Sequence, residues 1–377
     1  MSSKKIFISA GELSGDIHGG NLVSAIRQIN PGIEITAIGG DNMAGAGAEL
    51  LYHIRETSIM GFAEVVKHLP FIRKLWKNTL RHIDKIKPDL VVVIDYPGFN
   101  LRLAKAVSKR NIPVIYYISP QVWAWHQSRI KKIKRYTKEV LCILPFEQEW
   151  FRKRGINARF VGHPLLDQIT KEKNDNLQSS PIRPSSASLV IGLFPGSRLQ
   201  EVQRHLPVMI DSVKKLRDKF PEIVAAVSIA PEIDMSAYRK VYDFEWLYWI
   251  ENRNHQLMNE SDLLIMSSGT ATLEATIFNT PMIVIYRLNS LSYRLGKLLI
   301  KVPYITIANL IANKRGVTEL IQHDANADTI ASEAETILSN PQRRDETIQF
   351  LKNVTQRLGK PGASERAARI ILEYIAI

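Results

Sequence analysis

Cysteine is nearly absent. Of 377 residues only Cys142 carries a thiol, which excludes an intramolecular disulfide framework and fits a reducing compartment. It sits in the apolar run Val140-Leu141-Cys142-Ile143-Leu144 and reads as inert core. Long apolar runs are missing too. The N-terminus offers only Ile6-Phe7-Ile8-Ser9-Ala10 before Gly11 and Glu12, too short for a secretory leader. No later stretch supplies the ~20 apolar residues of a spanning helix. The nearest, 111–125, is broken by Pro113, Pro120 and Gln121. There is no D-x-D spacing and no His/Cys cluster with metal-ligand spacing, so no metal or other cofactor is expected. No G-x-S-x-G elbow supports a covalent hydrolase. No zinc-finger or homeodomain pattern supports nucleic-acid binding. Acidic residues are the minority charge: 50 Lys and Arg against 37 Asp and Glu leave +13. That balance points to an anionic partner such as lipid or a phosphorylated substrate.

What remains is an ordinary globular composition, 45% hydrophobic and 23% charged, on a chain long enough for two domains. Strand signals at Lys5–Ala10, Glu34–Ile38, Leu90–Asp95, Val114–Ile118, Val140–Leu144 and Arg159–Val161 alternate with helical stretches. A second alternation has strands at Leu189–Phe194, Val224–Ile229, Asp262–Met266 and Met282–Ile285. The expectation is an α/β protein of two Rossmann-like, doubly wound parallel domains facing across a cleft, with ligands at the carboxyl ends of the strands. The boundaries read as residues 1–172 for the first domain, a polar linker at 173–188 containing Pro181 and Pro184, and 189–345 for the second. Helices at 346–377, broken by Gly359-Lys360-Pro361-Gly362, are expected to pack back on the first domain.

Two small-residue turns carry the strongest chemical signal. Pro195-Gly196-Ser197-Arg198 and Ser267-Ser268-Gly269-Thr270-Ala271 each follow an apolar strand and open a helix. Helix starts present free N–H groups and the positive end of the dipole, which suits a nucleotide diphosphate. Arg198 would join the phosphate grip, and Glu274, one turn into the second helix, would accept the ribose hydroxyls. The competing role for Glu274 is a helix-dipole or capping-box carboxylate.

Asp95 closes the apolar strand 90–94. It is placed either as a general base facing the cleft or as a cap for the turn that follows, and the residues alone favour the cap. Gly11-Glu12-Leu13-Ser14-Gly15-Asp16 joins the first strand to the first helix. Gly11, Ser14, Gly15 and Asp16 are candidates to line the substrate cleft, and capping competes for Ser14 and Asp16. In Ser119-Pro120-Gln121-Val122-Trp123-Ala124-Trp125-His126, Gln121 and Trp123 are candidates to hold a sugar or acyl chain, with core packing as the alternative for one tryptophan. The amphipathic stretch 71–87 carries Ile72, Arg73, Lys74, Trp76 and Lys77, and Phe62 lies just before it. A membrane contact and an ordinary solvated helix both predict this pattern. A second basic cluster runs from Arg129 to Lys138.

The motifs AGELSGDIHG (10–19), MGFAEV (60–65), IDYPGFN (94–100), ISPQVWAW (118–125), FVGHPLLD (160–167), PGSR (195–198) and SSGTATLE (267–274) occur in this order over most of the chain. With them the sequence closely resembles the lipid-A-disaccharide synthases, inverting GT-B glycosyltransferases. The resemblance implies transfer from UDP-2,3-diacylglucosamine to 2,3-diacylglucosamine 1-phosphate, giving the β-1,6 disaccharide 1-phosphate and UDP. It implies a catalytic set of Asp95, Arg198 and Asn309, which turns the preference for Asp95 from cap to base. It also implies a cytoplasmic protein peripheral on the inner membrane, in contact with its lipids, and is compatible with a homodimer. Around Asn309 the chain departs from the family's PNLLAG-like pattern, with Ala308 for proline and Asn313 for glycine, which leaves the turn there open. Other UDP-sugar enzymes of the same fold, such as cell-wall glycosyltransferases or 2-epimerases, and a non-catalytic nucleotide-binding membrane adaptor are the competing readings.

Overall fold

The computed structural model describes residues 3–57, 69–175, 181–183, 189–231, 233–289 and 302–375. The chain forms two compact units, Met1–Asp167 with Gly359–Ile377, and Gln168–Leu358. The first unit holds a seven-stranded sheet of β1 (Lys5–Ser9), β2 (Glu34–Gly39), β3 (Glu49–His53), β4 (Leu90–Ile94), β5 (Val114–Tyr117), β6 (Glu139–Cys142) and β7 (Ala158–Phe160). Its spatial order is β3-β2-β1-β4-β5-β6-β7. Each neighbouring pair is parallel. The second unit holds β8 (Leu189–Phe194), β9 (Ile223–Ile229), β10 (Leu247–Glu251), β11 (Leu263–Ser267), β12 (Met282–Tyr286) and β13 (Thr318–Ile321). Their order is β10-β9-β8-β11-β12-β13, again parallel throughout.

Both orders reverse once, between β1 and β4 and between β8 and β11. A crevice opens at such a reversal because the connections on either side lead to opposite faces of the sheet. The inner strands read as continuous apolar runs because both faces are covered. In β1, Ile6 and Ile8 join one core with Leu22, Val23 and Ile26 of helix Leu13–Ile29, while Phe7 joins the other with Leu75 and Ile83 of helix Leu69–Ile86. Full burial of such side chains contributes about 1.5–3 kcal/mol each.

The three strands absent from the sequence expectation, β3, β10 and β13, all lie at sheet edges. Their residues are largely half-buried or exposed, and only β10 carries a four-residue apolar run, Leu247-Tyr248-Trp249-Ile250. The C-terminal boundary also moves. Helix Pro341–Arg357 runs through the expected 345/346 division and stays with the second unit, where Thr355 Oγ1 donates to the Thr276 carbonyl at 2.9 Å. Only helix Ala363–Glu373 returns to the first unit, placing Ala367, Ala368 and Ile371 in the core beside helix Leu13–Ile29. Within the expected linker, helix Leu165–Asp175 extends past residue 173, and the amides of Ile182 and Arg183 donate to Glu260 Oε2 at 2.7 and 3.1 Å.

Candidate active site

In the second unit the two predicted turns meet. Pro195, Gly196, Ser197 and Arg198 line one side of a cavity of about 450 Å³, and Ser267 to Ala271 line the other. They follow β8 and β11, the strands flanking the reversal, so the fold itself brings them together. Two helix starts, Leu199–Arg217 and Ala271–Phe278, contribute first-turn N–H groups. Ser267 Oγ is buried there with no partner. The Arg198 side chain is 78% exposed, held loosely by Glu201 at 3.6 Å, and so stays available to a ligand.

Glu201 was not anticipated. Its carboxylate accepts the Ser197 amide at 3.1 Å, in the manner of a capping box. No S/T-x-x-E signature marks it, because the N-cap is Arg198. Gly196 has φ +123, and a Cβ there would lie 2.4 Å from Glu201 Oε2, so only glycine fits. His205 ties the turn to the sheet: Nδ1 donates to the Pro195 carbonyl at 2.9 Å and Nε2 accepts the Arg287 amide at 3.1 Å. The bond accepted at Nε2 needs the neutral ring, and burial lowers its pKa. Ser228 and Asn254 also line the cavity, joined at 2.7 Å; no sequence pattern marked them. Glu274 sits outside the lining, one turn along its helix, with Oε2 3.4 Å from His255 Nε2.

In the first unit the β1/β4 reversal is organised by Asn100. Its Nδ2 donates to the carbonyls of Ser9, Ile94 and Asp95 at 3.1, 3.0 and 2.9 Å, and its Oδ1 accepts from Ser9 Oγ at 2.7 Å. The Asp95 backbone is fixed further by Tyr116, whose hydroxyl donates to its carbonyl at 2.8 Å, and by its own amide on the Ile118 carbonyl at 3.1 Å. Asp95 (φ +41), Tyr96 (φ +44) and Ile118 (φ +55) all adopt left-handed backbone. That is costly for any of these residues and worst for the β-branched Ile118. Such strain persists where surrounding structure enforces it. None of these bonds uses the carboxylate. Burial, then the charge of Glu12, raises its pKa against the Tyr96 amide and Arg129. The result is a carboxylate with enhanced proton affinity. Gly11 is required because the Tyr96 ring lies where its Cβ would be, at 2.3 Å.

Two expected lining residues belong to the scaffold instead. Asp16 is completely buried. Its Oδ1 accepts the amides of Gly40 and Met43 at 2.6 and 3.2 Å, and its Oδ2 accepts the amide and Nδ2 of Asn42 at 3.0 and 2.8 Å. Trp123 is 6% exposed, and its indole donates to Glu147 at 2.9 Å. Glu147 also accepts the amides of Ile143 and Leu144, and burial pushes its pKa up to about 7. The tryptophan that faces solvent is Trp125, 48% exposed, with Arg129 5.8 Å from its ring. Gln121 and Ser14 are exposed and Gly15 is buried. Two imidazoles lie in this unit, His18 half-buried and His163 buried: desolvation lowers His18 to about 4 and His163 to about 3. Of the amphipathic stretch, Arg73, Lys74 and Lys77 are exposed and Ile72 and Trp76 half-buried. Phe62 lies outside the described residues.

The chain matches the family described as Lipid-A-disaccharide synthetase over residues 6–373. It is 36% identical over 373 residues to the lipid-A-disaccharide synthase of Myxococcus xanthus (98% of this chain, 97% of that one). It is 39% identical over 380 residues to that of Syntrophus aciditrophicus (100% and 99%). The chain belongs to the lipid-A-disaccharide synthase family. It is a disaccharide-forming glycosyltransferase with acylated sugar donor and acceptor. Solved structures share the GT-B fold at low identity. One is a kitacinnamycin glycosyltransferase (TM-score 0.67, 14% identity, 99% of this chain and 100% of that one). Another is a UDP-GlcNAc 2-epimerase from Neisseria meningitidis (0.62, 12%, 99% and 99%). The epimerases match in fold alone, and the epimerase reading is not favoured. Among the described residues no helix is long and apolar enough to cross a membrane.

Against the lipid-A-disaccharide synthase pattern, the altered stretch at 308–313 keeps its turn. Asn313 takes left-handed backbone (φ +51) at the end of helix Ile307–Ala312, a conformation asparagine tolerates better than most residues. Asn309 is fully buried. Its Nδ2 donates to the Val317 carbonyl and Glu319 Oε1, and its Oδ1 accepts the amides of Gly316 and Val317, all at 2.9 Å. All its hydrogen-bonding groups are engaged. In this structure those bonds make it a clamp holding the approach to β13.

Proposed function

We infer that the chain performs an inverting transfer from UDP-2,3-diacylglucosamine to 2,3-diacylglucosamine 1-phosphate. Asp95 takes the proton of the acceptor hydroxyl. That oxygen bonds the anomeric carbon as the bond to UDP breaks, leaving inverted configuration. Gly196, Ser197, Arg198, Ser268, Gly269, Thr270 and Ala271 stabilise the departing diphosphate, and Glu274 holds the ribose. The observation that carries the reading is Asp95 itself: a carboxylate of raised pKa on a clamped, strained backbone at a strand reversal. A base whose pKa is raised toward the working pH accepts a proton more readily in the transition state. Ile72, Arg73, Lys74, Trp76 and Lys77 face the inner surface of the membrane that holds the substrates, with anionic headgroups attracting the cations. Incubating the protein with this donor and acceptor should yield the tetraacyl disaccharide 1-phosphate by mass spectrometry, with UDP release dependent on the acceptor. UDP release without disaccharide, or none at all, overturns the reading.

A further inference from the structure

The first unit carries a second cavity, lined in part by Ile72, Arg73 and Trp76 of the stretch read above as membrane-facing, to which no substrate has been assigned. It is a trench of about 750 Å³ between helix Leu69–Ile86 and helix Pro97–Ser108. Its floor is apolar: Phe71, Leu75, Trp76, Tyr96 and Phe99 line it. Trp76 meets Phe99 edge to face at 5.7 Å, and Tyr96 lies 6.1 Å from the same ring. Leu75 is buried, but the aromatic rings are only half-buried. They keep apolar surface open to the trench that a tightly packed core would cover.

The rim is wholly cationic. Arg102, Lys105 and Lys109 stand three and four residues apart, so one helix edge presents all three. Arg73 faces them from the other helix. No Asp or Glu lines the trench among the described residues. Arg110, also on the rim, is neutralised by Asp84 at 2.6 and 2.9 Å; the other four cations have no carboxylate partner there. An apolar trough under clustered cations complements a molecule that is apolar at one end and multiply anionic at the other. Its position narrows the choice. Tyr96, in the trench wall, is the residue next to Asp95. The trench wall is therefore continuous with the backbone that carries Asp95.

We propose that this trench binds the acceptor, its acyl chains on the aromatic floor and its phosphate on Arg102, Lys105 and Lys109. This rests on the reading of Asp95 as the base. The occupant is one substrate molecule and not bilayer phospholipid, because the trench wall at Tyr96 adjoins the residue that must meet the acceptor's hydroxyl.

Gly98 supplies a test that does not disturb the core. It lines the trench, is exposed, and has nothing within 4 Å of where its Cβ would be. Gly98→Leu fills the trench from its edge. Equilibrium binding of diacylglucosamine 1-phosphate in detergent micelles, measured calorimetrically without donor, needs no turnover. Gly98→Leu should weaken it about tenfold or more, the loss of roughly two buried methylenes. UDP affinity and Tm should be unchanged. Lys105→Gln with Lys109→Gln should weaken binding by a similar factor and flatten its salt dependence. An acceptor analogue without acyl chains should be insensitive to Gly98→Leu. Unchanged acceptor affinity in both variants overturns the proposal. So does a loss confined to vesicle-presented acceptor, which marks a bilayer contact. Absence of disaccharide with normal acceptor binding would instead defeat the assigned reaction and leave the trench standing.

Discussion

Asn309→Ala separates a clamp from a catalyst. Truncation removes four hydrogen bonds, each at 2.9 Å, and strands the amides of Gly316 and Val317 and the carbonyl of Val317. Val317 is buried and Gly316 half-buried. A stranded buried donor costs about 1–3 kcal/mol. With one donor fully and one partly cut off from water, the variant should lose about 2–4 kcal/mol of stability. Asn309→Asp should fare no better. It still accepts both amides, but it cannot donate to the Val317 carbonyl, and it sets a second carboxylate against Glu319. Urea unfolding of wild type and both variants, followed by circular dichroism, measures the loss. Turnover measured well below the transition should then fall only as far as the 306–321 region is displaced. A variant that unfolds like wild type yet loses turnover about 100-fold would refute the argument and return Asn309 to direct contact with substrate.

Three further outcomes are expected. Glu274→Ala should weaken UDP binding by roughly 1.5–3 kcal/mol in calorimetric titration, whereas a lowered Tm with unchanged affinity would mean that its pairing with His255 is structural. His18 and His163 are held neutral at pKa values of about 4 and about 3, below the ordinary 6.5. Below pH 6.5 the unfolded chain therefore binds more protons, and stability must fall as the pH drops toward 4. For His18 alone the loss is about 3 kcal/mol, and His18→Gln should flatten the urea midpoint against pH over that window. Replacing Lys74 and Lys77 by Glu should reduce flotation with anionic vesicles, and added salt should do the same to wild type; unchanged flotation would place the membrane contact elsewhere.

The sequence spoke clearly where one physical cause dominated. Inner strands such as β4 and β8 are covered on both faces, so they had to be apolar throughout. The turns after β8 and β11 had to be small to open helices at the reversal. An edge strand such as β13 buries only one side and left no such mark. Polar residues were legible as polar but not in their direction. Asp16 and Asn309 look the same in sequence whether they meet a ligand or backbone amides brought in from 24 to 27 or from 7 to 8 residues away. Trp123 and Trp125 are two residues apart. Only the turn at 121–126 decides that one donates to Glu147 and the other faces solvent. Asn100 stood within a recognised motif, yet its bridging of β1 and β4 depends on a strand pairing that local pattern does not encode.

The central claim is that the carboxylate of Asp95 is the base. Asp95→Asn keeps the side chain's shape and the backbone bonds to Asn100, Tyr116 and Ile118, and removes only the basicity. With saturating donor and acceptor, disaccharide formation should fall by roughly 100-fold or more. Tm and UDP affinity should stay at wild-type values. Near-normal turnover in a folded Asp95→Asn protein would contradict the account.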